Sequence, residues 1–80
     1  MGTNAFWRPI ATKDGKLLST DIKWKIAKRY MNHDGSLTGK AYLSNEDIGW
    51  LEGLRDAGVE DADELIAAIE KHAEIVIFIE

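Results

Sequence analysis

Residues 74–80, "EIVIFIE", decide how this chain folds. Five β-branched or aromatic residues follow one another with no polar residue between them. A strand that is wet on one side alternates apolar and polar side chains, whereas one covered on both sides reads as a continuous apolar run. The stretch therefore predicts an interior strand, central in its sheet and beside whatever strands the N-terminus supplies. Were it instead at an edge, it would be an open template for pairing, and a homodimer through this C-terminal strand would be the natural way to cover it.

Upstream, "AFWRPIAT" (5–12) is strand-like, and "KDGK" (13–16) places Asp14 and Gly15 where a two-residue hairpin turn wants positive φ. Pro9 cannot donate a ladder bond, which puts its N–H side toward solvent or at a sheet edge. Ser19 or Thr20 begins a helix over about 21–32, closed at Asn32 or Gly35. Ile22, Ile26, Ala27 and Tyr30 form its inner arc, with Lys25, Lys28 and Arg29 opposite. After "GSLTGKAYLS" (35–44), with a short strand near Ala41–Leu43, Ser44 and Asp47 form a capping box for a helix to about Ala57. Asp61 and Glu64 form another for a third helix to about His72. The sequence thus predicts a single α+β domain over residues 1–80. A small sheet (N-terminal β-hairpin plus C-terminal strand) packs against three helices in the order β-β-α-(β)-α-α-β.

The segment "LRDAGVEDADELIAAI" (54–69) resembles the helix-hairpin-helix family, with Leu54, Gly58, Val59, Ala62, Leu65 and Ile69 falling at its aliphatic, glycine and alanine positions. That family's turn carries a second glycine where backbone N–H groups approach a phosphate. Here the place is held by Glu60, followed by Asp61, whose carboxylates repel a phosphodiester and oppose counterion release. The expectation is a hairpin used for packing. "DGSLTGKAYLSN" (34–45) partly resembles an EF-hand calcium loop, with Asp34, Ser36 and Thr38 at ligand positions and Gly39 at the turn. It departs at Asn45, where a bidentate glutamate belongs, and at Ala41, so an ordinary Gly/Ser turn is expected.

Chemistry is sparse. Without cysteine there is neither a disulfide framework nor a thiolate metal site, and a reducing compartment fits. His33 and His72 are the only imidazoles, each expected at a helix C-terminus where a partial positive charge is favourable. No Gly-x-Ser-x-Gly elbow or Gly-rich phosphate loop is present. The expectation is a non-enzyme with no cofactor and no metal. The longest apolar run has five residues, far short of the roughly 20 that span a bilayer. The first residues lack a signal-peptide pattern, and Phe6 stands where myristoylation wants Ser or Thr. A cytoplasmic protein without a membrane partner is expected.

Charge is the informative quantity. Residues 1–43 carry eight Lys or Arg against three Asp or Glu, a sum of +5. Residues 44–80 carry two against eleven, a sum of −9. Such asymmetry directs attention to charged partners. Two interaction surfaces follow. Asp56, Glu60, Asp61, Asp63, Glu70 and Glu74 form an acidic set, with Asp63, Glu70 and Glu74 as a stripe on the third helix, suited to a basic protein surface. Trp24, Lys25, Lys28 and Arg29, joined by Trp7, Arg8, Lys13 and Lys16, form a basic set with aromatic members, the ingredients of nucleic-acid binding. The first reading makes the chain a non-enzymatic protein–protein interaction module, similar in size and acidity to accessory or inhibitor proteins of phages and mobile elements. The alternative is a nucleic-acid-binding module. Trp50 is expected in the core, with Trp7 and Trp24 there or at an interface.

Overall fold

The computed structural model describes residues 4–30 and 39–80. Strands β1 (Ala5–Pro9), β2 (Lys16–Leu17), β3 (Gly39–Ser44) and β4 (Glu74–Ile79) form one antiparallel sheet in the order β2-β1-β4-β3. Helices α1 (Thr20–Tyr30), α2 (Ile48–Asp56) and α3 (Ala62–His72) accompany it, with a 3₁₀ turn at Asn45–Asp47 leading into α2. The α+β class and the element order expected from the sequence both hold. So does the position of β4, which has β1 on one side and β3 on the other. Both its edges are paired within the chain, so the condition for strand pairing across two copies is not met at β4.

Register divides the sheet into two faces. Ala5, Trp7, Ala41, Leu43, Ile75, Ile77 and Ile79 share one parity across the ladders. They join Ile22, Ile26 and Ala27 of α1, Leu51 of α2 and Leu65, Ile66 and Ile69 of α3 in a single buried cluster. All three helices therefore cover the same face. Apolar residues at helical spacing drive this arrangement, since burying each large aliphatic side chain contributes about 1.5–3 kcal/mol.

The N-terminal hairpin differs from the expected tight turn. Trp7 pairs with Lys16, leaving an eight-residue connection over 8–15. Two contacts favour the longer path. The Arg8 guanidinium donates from Nη1 to the carbonyls of Ile10 and Thr12, at 3.2 and 2.7 Å, and holds a turn at 9–12. Gly15 then lies against the sheet, where an added Cβ would come within 3.0 Å of the Phe78 ring. Glycine is required at this position by close approach rather than by positive φ, because Gly58 is the only glycine in that region among the described residues. The expectation for Pro9 holds. Asn4 and Glu80 exchange both backbone bonds, so even-numbered residues of β1 face β4. The odd-numbered Pro9 is turned the other way, beyond the end of the short β2.

The α2–α3 connection is legible residue by residue. Gly58, at φ 84°, follows the last turn of α2. Its N–H reaches the Arg55 carbonyl and that of Val59 reaches Leu54, both at 2.9 Å, completing a Schellman motif whose Leu54 and Val59 side chains are half-buried. Helix α3 ends on Ala73 at φ 71° and ψ −42°, a sparsely populated positive-φ backbone that costs a non-glycine residue about 1–3 kcal/mol.

The capping box at the second helix forms, with the Ser44 N–H donating to Asp47 at 2.9 Å. The one expected at the third helix does not. Neither carboxylate caps α3, because both are drawn into long-range bonds. Asp61 accepts from the Ser19 backbone N–H at 2.7 Å, and Glu64 accepts from the Trp7 indole at 2.6 Å. Asp61 sits at φ 73°, a conformation that aspartate tolerates better than most residues. The expected helix end at Asn32 or Gly35, His33, and the first part of the calcium-like loop lie outside the described residues. The second part of that loop, Gly39–Ser44, is strand β3 paired along β4, which is incompatible with wrapping a cation. No metal-holding group of His, Asp and Glu occurs among the described residues.

Candidate interaction surfaces

Charge is sorted between helices. α1 carries four basic residues and one acidic, a net +3, while residues 48–72 carry seven acidic and two basic, a net −5. On the α2–α3 hairpin Asp56, Glu60, Asp63 and Glu70 are exposed. Arg55 reaches two of them, with its Nε 3.4 Å from Asp56 and 3.9 Å from Asp63. Such exposed pairs contribute little energy, so the local field stays negative. Asp61 is half-buried in its bond to Ser19, so its role is partly structural. Glu74 lies off α3 altogether. It begins β4 in register with Ser44 and shares the parity of Val76 and Phe78, on the face away from the helices.

The basic set is dispersed. Lys25 and Lys28 are exposed on α1 and Trp24 is 49% exposed, as a binding face would require. Lys23 is buried, with its ammonium 5.2 Å from the Trp24 ring centre. The Arg29 guanidinium stands 4.8 Å above Trp50 and 5.4 Å from Tyr30. Trp50 is half-buried rather than core, packed edge-to-face on Tyr30 at 5.4 Å. Trp7 belongs to the core, its indole N–H answered by Glu64, which also approaches Lys16 at 3.9 Å. Lys13 is exposed in the 8–15 connection, and Arg8 lies on the far side of the sheet. The eight residues do not form one patch.

Tyr30 donates its phenolic O–H to Asp47 at 2.5 Å, tying α1 to the start of α2. Burial pushes this phenol up from 10.0 to about 12, reinforced by the hydrogen bond to Asp47 and opposed by Arg29. Because the folded value is the higher one, the phenol's contribution to stability is complete below pH 10 and is lost as pH rises toward 12. Alkaline titration of tyrosinate absorbance should show a late step near pH 12 that Tyr30→Phe removes. An unchanged titration curve in that variant would contradict the assignment.

Two shallow depressions flank His72 at the end of α3. One, of about 350 Å³, is lined by Pro9, Ile10, Ala11 and residues 72–74; the other, of about 220 Å³, by Trp7, Glu64, Ala67, Ala68, Lys71 and His72. Each has predominantly apolar walls.

The feature that composition does not announce is the second face of the sheet. Phe6, Arg8, Lys40, Tyr42, Val76 and Phe78 share its parity, and Leu17 extends the row through Phe6. Leu17 and Tyr42 are the most exposed large hydrophobics among the described residues, at 62% and 59%. Val76 is 1% exposed, yet it stands outside the helix-side cluster, buried by its neighbours on this face. The alternation in "AFWRP" and "GKAYLS" carried the signal, but only register brings the two sets together.

Comparison with known proteins adds no kinship: no family model, curated protein or solved structure matches the chain. No helix among the described residues is long and apolar enough to cross a membrane.

Proposed function

We propose that this chain is a small, non-enzymatic protein–protein interaction module of the accessory or inhibitor type, phage- or mobile-element-like in character, recognising a basic partner surface through its acidic α2–α3 hairpin. The observation that supports this most directly is the net −5 over residues 48–72, with Asp56, Glu60, Asp63 and Glu70 exposed on that hairpin. A field of one sign on a rigid pair of helices steers an oppositely charged partner and raises the association rate. A cytoplasmic site of action belongs to the same reading and is supported by the absence of cysteine.

The test is affinity capture from the native host with the wild-type chain and with Glu60→Gln, Asp63→Asn and Glu70→Gln combined. The expected result is a basic protein retained by the first and lost by the second, with the association rate falling at least about tenfold and dissociation little changed. Equal retention by both would overturn the reading. Retention of nucleic acid that is lost on Lys25→Glu with Lys28→Glu would instead select the basic face of α1, with Trp24 and Arg29.

A further inference from the structure

We infer that the face of the sheet turned away from the helices is a binding platform for single-stranded nucleic acid, with Tyr42 as the base-stacking residue and Lys40 and Arg8 as the phosphate contacts. This surface is separate from the acidic hairpin and does not depend on its role. Register places Lys40, Phe78, Phe6 and Leu17 in one row across the four strands, and Tyr42, Val76 and Arg8 in the next. Neighbouring strands lie about 4.8 Å apart, so Arg8 and Tyr42 bracket roughly 10 Å, a span that admits adjacent nucleotides.

The rings are suitably disposed. Tyr42 is exposed and has no ring partner among the described residues. Phe6 and Phe78 stack on each other with centroids 5.3 Å apart, and Arg8 lies 5.9 Å above Phe78, extending a flat surface. Lys40 is exposed beside Phe78 and forms no ion pair with a carboxylate among the described residues. Stacking on an exposed ring with a cation alongside is the common device of sequence-tolerant single-strand binding.

Composition also selects among occupants. A protein docked flat on this face would bury the Arg8 and Lys40 charges together with the rings, which is unfavourable without matching anions. A polynucleotide supplies bases for the rings and phosphates for the cations at once. Among the described residues the opposing charges of this parity are Glu74, which begins β4, and Glu80, just past its end, while the acidic hairpin belongs to the other layer. The molecule is 19 Å across in its shortest dimension, against a screening length of about 8 Å at physiological salt, so the hairpin's field is largely damped at this face.

Fluorescence anisotropy of a labelled thymidine decamer with the full chain tests the inference. Binding should be micromolar and weaken between about 50 and 200 mM salt with a log–log slope near −1.4, the value for two contacts on a single strand. Tyr42→Ala should weaken it about tenfold and Tyr42→Phe little, since stacking needs the ring and not the hydroxyl. Lys40→Glu should weaken it and flatten the slope, while Lys25→Glu with Lys28→Glu on α1 should leave both unchanged. Tyr42 and Lys40 are exposed, so far-ultraviolet circular dichroism should match the wild type. Absence of binding at low salt, equal binding of a duplex, insensitivity to Tyr42→Ala, or loss through the α1 variant alone would each overturn it. So would sedimentation showing Tyr42-dependent self-association in place of oligonucleotide binding.

Discussion

Replacing Ile77 by alanine is expected to leave much of the protein unfolded at 37 °C. Ile77 is fully buried at the centre of β4, paired with Trp7 on one side and Ala41 on the other. Its side chain points into the layer where all three helices meet. Removing three carbons from such a site forfeits their transfer energy and leaves a cavity that flanking strands cannot collapse to fill, for a loss of about 3–4 kcal/mol. A domain of this length is stable by only about 4–12 kcal/mol, so about a quarter or more of the total is at stake. Urea denaturation should record the drop, and the thermal midpoint should fall by about 15–25 °C. Tyr42→Ala, on the opposite face of the neighbouring strand, is the internal control and should lie within about 0.5 kcal/mol of wild type. A loss under about 1 kcal/mol for Ile77→Ala would mean that β4 is not the centre of the fold.

Asp61→Ala is expected to destabilise by about 2–3 kcal/mol, far more than removing an exposed carboxylate. Two effects combine. The carboxylate accepts a 2.7 Å bond from the Ser19 N–H, and losing a charged acceptor from a half-buried donor costs about 1.5–3 kcal/mol. The backbone sits at φ 73°, where alanine pays a further penalty that aspartate and asparagine partly avoid. Asp61→Asn keeps the backbone preference and a neutral acceptor, so about 1 kcal/mol should be lost. Asp61→Gly relieves the backbone but forfeits the bond, and should fall between the two. The ordering wild type, Asn, Gly, Ala in urea midpoints is the check. Equal loss in all three variants would show that the side-chain bond alone matters, and no loss would remove the tie between α1 and the α2–α3 turn. The series also guards the functional test, because a partner lost on Asp61→Ala could reflect an altered fold.

Local pattern was enough for the elements and for the place of β4. The unbroken apolar run "EIVIFIE" pointed to a central strand, and β4 has a partner on each side, although its Val76 and Phe78 face carries no helix. Gly58 marked its helix end because a left-handed residue there needs no Cβ, and nothing distant was required. The functional surfaces were less legible. Lys25 and Lys28 emerged where helical spacing put them, as did Asp63 and Glu70. Asp61 and Glu64 read as a capping box, yet their partners are Ser19 and Trp7, 42 and 57 residues away. A carboxylate bonds to whichever donor the fold brings near, and spacing along the chain holds no record of that. Trp7 and Arg8 entered one basic-aromatic set, but adjacent strand residues point to opposite faces. The open face itself joins Phe6, Tyr42 and Phe78 from three distant segments, and only strand register could align them. Short-range sterics and hydrophobic periodicity wrote the elements into the chain, while the pairing of strands, a long-range choice, decided which side chains would meet water together.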